Sequence, residues 1–167
     1  MAALEEGKKA YINLRIILAQ RELYNRTGRN ILLPNYRDIE KKAPVIIAED
    51  GMLESEKKSI LARSERYQKA MAQIEKAERA VEAVVDLEII CQFEKYLEIT
   101  GINLLPDGYE VKKEQAVEAI LLDKTPVSDR EAIIAKSERF KTEIAKLGGF
   151  KVEIPPLSIR EQALMDQ

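Results

Sequence analysis

The chain has 167 residues, of which 46% are hydrophobic and 34% charged, and its formal net charge is -2. That profile fits one globular domain or two small fused units, and excludes a disordered chain or a histone-like basic coat. There is no His and a single cysteine, Cys91. His-based triads, imidazole bases, His-ligated zinc and an internal disulfide framework are therefore excluded. A reducing, cytoplasmic setting, or a particle assembled in the cytoplasm, is expected. No apolar run reaches the ~18 residues of a membrane span. The charged start Met1–Lys9 lacks the apolar region of a secretory signal, so no membrane partner is expected.

Helical spacing dominates, and an all-α fold is expected. Leu4, Tyr11, Leu14, Ile17, Leu18 and Leu23 recur at the intervals of an amphipathic helix, which Gly28 should end as a left-handed cap. Leu32-Leu33-Pro34-Asn35 reads as a connector. A short helix over about 36–42 follows, and Pro44 should open another that reaches Asp50. From Met52 to Thr100 there is neither Gly nor Pro, so the spacing of Ile60, Tyr67, Ile74 and Val81 predicts one helix or two abutting ones, roughly 70 Å long if continuous. Gly101 should end it. Leu104-Leu105-Pro106-Asp107-Gly108 is the next connector, and a short helix is expected over 112–122. Ser128 and Glu131 have the spacing of a capping box. The helix they open should run to Gly148-Gly149. An extended stretch over 150–156 and a short helix capped by Ser158 and Glu161 complete the expectation.

The most specific feature is self-similarity. Shifted by 73 residues, 10–74 and 83–147 share 19 of 65 positions, where unrelated chains of ordinary composition would share roughly 4. Leu14, Ile16 and Ile17 match Leu87, Ile89 and Ile90. Thr27-Gly28-Arg29-Asn30 matches Thr100-Gly101-Ile102-Asn103, and Leu32-Leu33-Pro34 matches Leu104-Leu105-Pro106 after a slip of one residue. Ser64-Glu65-Arg66-Tyr67 matches Ser137-Glu138-Arg139-Phe140. Helical patterning alone does not readily produce such polar matches, so a tandem duplication is expected. The expected organisation is a helical unit over 1–80, a second over 81–149 and a tail over 150–167, with a helix across 74–86 as the joint. The Thr-Gly-x-Asn corner reads as a helix cap rather than a phosphate loop, which needs more glycines and a following Lys. The Ser-Glu-Arg triplets read as polar contacts in mid-helix. Leu14, Ile17, Leu32, Ile60, Leu87, Ile90, Leu105 and Ile133 are expected to be buried.

The overall charge conceals an asymmetry. Residues 8–42 carry nine Lys/Arg and three Asp/Glu, whereas the matching 81–115 carry three Lys and eight Asp/Glu. Equivalent positions reverse sign: Arg15, Arg21 and Arg37 match Glu88, Glu94 and Glu110, while Glu22 and Glu40 match Lys95 and Lys113. Three explanations compete. Solvated faces drift. Complementary surfaces hold the halves, or successive chains, together. Or the basic set binds phosphate, with Tyr24 and Tyr36 adding stacking. The candidate interaction residues are Arg21, Arg26, Arg29, Arg37, Lys41 and Lys42 on a basic face and Glu88, Glu94, Glu98 and Glu110 on an acidic one.

No paired-cysteine, Walker, dinucleotide or calcium-loop motif occurs, and Cys91 between Ile90 and Phe93 reads as an inert thiol in an apolar stripe. Neither a catalytic residue, a metal nor a cofactor is assigned. The sequence points to a non-enzymatic assembly or adaptor subunit acting through complementary charged helical surfaces on protein partners or on itself. A phage or other large particle is one natural setting. The alternative is a nucleic-acid-binding or regulatory module using the basic first half, with a carboxylate-dependent enzyme third.

Overall fold

A computed structural model describes residues 2–148, with side chains from Glu5 onward. Among the described residues there are seven helices and no strand: α1 Ala2–Thr27, α2 Tyr36–Asp50, α3 Glu54–Arg63, α4 Glu65–Thr100, α5 Tyr109–Asp123, α6 Val127–Lys136 and α7 Glu138–Ala145. The chain is all-α. Packing divides it into two compact units. Among the described residues, 2–26 with Asn30–Glu75 make the first, and Thr27–Arg29 with 76–148 make the second, so the boundary lies inside α4.

Local backbone bonding repeats at positions 73 apart. Thr27 Oγ1 accepts from the Arg29 N–H, and Thr100 Oγ1 from the Ile102 N–H, both at 3.2 Å. Asn30 Oδ1 accepts from the Leu32 N–H at 3.0 Å, and Asn103 Oδ1 from the Leu105 N–H at 2.9 Å. Side-chain oxygens thus close both corners after a glycine of positive φ, +84° at Gly28 and +75° at Gly101. The two corners align without the one-residue slip that the Leu-Leu-Pro match suggests. Arg66 Nη2 reaches the Lys9 carbonyl at 3.4 Å, as Arg139 Nη2 reaches that of Glu82 at 3.3 Å. Each contact lies within one unit.

The stretch 52–100 forms two abutting helices, one of the two forms expected, and three other boundaries differ from the sequence reading. Ser64 is extended, with φ -77° and ψ 113°, and it ends α3. Its Oγ accepts from the Tyr67 N–H at 3.1 Å, and Ser137 Oγ does the same for the Phe140 N–H. Both serines are therefore N-caps and not mid-helix contacts. The continuous helix α4 has 36 residues, about 54 Å. Likewise the helix after Pro126 stops at Lys136, and α7 begins after Ser137.

Pro44 does not open a new helix but lies inside α2. It forgoes one bond to the Glu40 carbonyl, which packing around the buried Ala43 and the half-buried Ile46 and Ile47 outweighs. Finally, α6 starts one residue before Ser128, with extended Pro126 as its N-cap residue and no side-chain capping bond. The Ser128/Glu131 box is therefore not the start signal. The expected tail elements over 150–167 lie outside the described residues.

The second unit has a contiguous core in which Val84, Leu87, Ile120 and Ile133 are nearly fully enclosed, with Phe93 and Phe140 around them. Cys91 is half-buried against that core. In the first unit Ala10, Ile17, Leu23, Ala43, Ala70 and Ile74 are buried. Of the residues expected inside, Ile17, Leu87, Ile90 and Ile133 are buried. Leu14, Leu32, Ile60 and Leu105 are only half-buried; for Leu32 and Leu105 the reason is their place in the connectors.

Candidate functional site

Buried charge concentrates around Arg29. The left-handed turn at Gly28 brings the next residue against the α5–α6 junction of the second unit. A Cβ on Gly28 would lie 2.9 Å from the Ala132 carbonyl carbon, so only glycine permits this approach. Arg29 Nε donates to Asp123 Oδ2 and Nη1 to Asp129 Oδ2, each at 2.8 Å. The three side chains are only 8%, 8% and 16% exposed. The Thr125 hydroxyl also donates to Asp123 Oδ2. In the same unit Arg130 Nη2 donates to the Thr125 carbonyl at 3.2 Å. Burial pushes the Arg130 guanidinium below its usual range, and the charge of Glu88 opposes that shift. The Arg29 charge is matched by its own two carboxylates. The arrangement locks a corner to a helix junction rather than holding an anion.

The other predicted interaction residues fall in different places. Arg21 makes a two-pronged ion pair with Glu40 inside the first unit. In the second unit Lys113 pairs with Glu94 at 2.8 Å. These four residues are the equivalents across the 73-residue shift, with donor and acceptor exchanged. At these two positions each unit therefore has its own ion pair, with the signs exchanged. Arg37 Nε donates to the Tyr36 hydroxyl at 3.3 Å, and the Arg21 and Arg37 guanidinium groups lie 5.6 and 5.9 Å from the Tyr36 ring centre. The hydrogen bond from Arg37 leads in holding the Tyr36 phenol below its usual range. Lys41 and Lys42 are exposed on α2, and Arg26 is exposed near the end of α1.

The acidic set does not form one face. Glu88 is buried, Glu94 is paired and half-buried, Glu98 is exposed on the same helix, and Glu110 is exposed at the start of α5.

A feature absent from the sequence reading is a groove in the first unit with a volume of about 540 Å³, between α1, the 31–36 connector and the starts of α2 and α4. Its apolar lining includes Ile16, Ile17, Ile39 and Ala70, with Ile31 and Leu33 at one edge; Arg66, Lys69 and Gln73 of α4 also line it. Gln20 lines the groove and is 8% exposed. Seventy-three residues on, Phe93 occupies the Gln20 position, and Ile89, Ile90 and Phe93 are all buried. The legible signal was therefore a Gln on an apolar helix stripe whose counterpart is Phe.

Among the described residues no cluster of three or more acidic or thiol groups could hold a metal ion, and no helix is long and apolar enough to cross a membrane. No family model matches the chain, and no curated protein or solved structure matches it.

Proposed function

We propose that this is a non-enzymatic assembly or adaptor subunit, built by tandem duplication of a helical unit, which holds protein partners through the first unit. The duplication is supported by the 73-residue recurrence of corners, caps and arginine–carbonyl bonds, and by an ion pair kept while its polarity reverses. The observation that carries the adaptor reading is the open apolar groove beside cations. Arg66 and Lys69 line it, and Lys41 and Lys42, outside its lining, are further exposed cations of the same unit. The complementary charge expected between surfaces is then placed at an outside partner, where it steers association and specifies register.

The nucleic-acid reading uses the same cations. The Tyr36 ring already carries two guanidinium groups, which argues against its serving as a platform for base stacking. Titrating the full chain into fluorescently labelled single-stranded and duplex DNA and RNA separates the readings. The adaptor reading expects no saturable anisotropy change at physiological salt. Saturable binding that falls steeply with salt, as counterion release requires, would instead establish the nucleic-acid module.

A further inference from the structure

We infer that the groove of the first unit takes an extended peptide segment of a protein partner, with an apolar anchor flanked by acidic residues. This rests on the adaptor reading and names its site and ligand. A volume of about 540 Å³ lies within the range of sites that enclose a ligand. The lining around Ile16, Ile17, Ile39 and Ala70 is apolar and suits an aliphatic or aromatic anchor.

Gln20 decides what accompanies that anchor. Its carboxamide offers a donor and an acceptor, and a ligand that displaces water from it must meet both. An extended peptide unit presents the matching N–H and C=O. A carboxylate or phosphate would meet only the donor half, and a helical partner has its backbone groups already paired within itself. Charge sets the flanks. Arg66 and Lys69 line the groove against the one acid Glu65, and Lys41 and Lys42 are exposed on α2 of the same unit. Asp or Glu beside the anchor would meet this positive surface. In the second unit the Gln20 position is Phe93, which is buried, so the lone carboxamide is not demanded by the helix itself.

The test is selection of a displayed random-peptide library against the full chain, followed by titration of the enriched peptide. The expected consensus is an apolar residue with neighbouring Asp or Glu. Leu33→Glu and Lys69→Glu, both at exposed positions, should each weaken that peptide by about tenfold or more while leaving the helical signal unchanged. Gln20→Leu should weaken it too, because the groove then lacks that donor and acceptor, while the helical signal is unchanged. No enrichment, a basic consensus, or a peptide indifferent to all three variants would overturn the inference. A chain that still captures a protein partner in spite of Leu33→Glu and Lys69→Glu would sink this site while keeping the adaptor reading.

Discussion

Replacing Arg29 with Met should lower the free energy of unfolding by about 3–5 kcal/mol, the usual cost of removing one partner from a buried ion pair. The magnitude follows from what is left behind. Asp123 and Asp129 are 8% and 16% exposed and both bond the Arg29 guanidinium. Without it, two carboxylates a short distance apart face each other with little solvent to screen them. Neutralising them as well, with Asp123→Asn and Asp129→Asn in the Met background, should recover much of the loss, since no uncompensated charge then remains. Denaturant unfolding of the full chain measures each variant. A Met variant within ~0.5 kcal/mol of the parent, the range of ordinary surface changes, would show that Arg29 is solvated rather than locked.

Gly28→Ala should cost about 2–5 kcal/mol, at least twice the loss from Gly101→Ala. Both positions have positive φ, and holding an L-residue there costs about 1–2 kcal/mol. Only Gly28 has a second penalty. Its added Cβ would meet the Ala132 backbone at 2.9 Å, whereas at Gly101 nothing lies within 4 Å. Backbone cannot rotate aside as a side chain would, so overpacking adds ~1–3 kcal/mol. The shift needed to relieve it would also draw Arg29 away from its carboxylates. Parallel denaturant melts of the two variants decide the matter, and equal losses would contradict the docked corner.

Much of the fold was legible because helices announce themselves by local spacing. The stripe of α1, its end at Gly28 and the end of α4 at Gly101 all follow from residues within a few turns of each other. The breaks at Ser64 and Ser137 were harder to read. No Gly or Pro marks them, and the capping hydroxyl is evident only once the chain is seen to turn. Pro44 misled in the opposite direction, since the packing around Ala43 outweighs one lost backbone bond.

The candidate sites depend on distance along the chain. Sign reversal was visible, but the partner of Arg21 is 19 residues away across a helix pair, and those of Arg29 are 94 and 100 residues away. Charge counting treated Arg21, Arg29 and Arg37 as one face. Burial separates them: Arg29 is enclosed, Arg21 is paired and half-buried, and Arg37 is exposed beside Tyr36. The groove was hidden for a similar reason, because its lining gathers three separate stretches of the first unit.

The first unit is proposed to hold a protein. The most direct test is affinity capture from the source cells, under nuclease treatment, with the parent chain and with Arg37→Glu, Lys41→Glu, Lys42→Glu combined. All three positions are exposed, so the variant should keep its helical signal. The expected result is a defined protein partner that survives nuclease, is retained by the parent and is lost or greatly reduced with the triple reversal. Captured material that disappears with nuclease, or a partner held equally well by both chains, would contradict it.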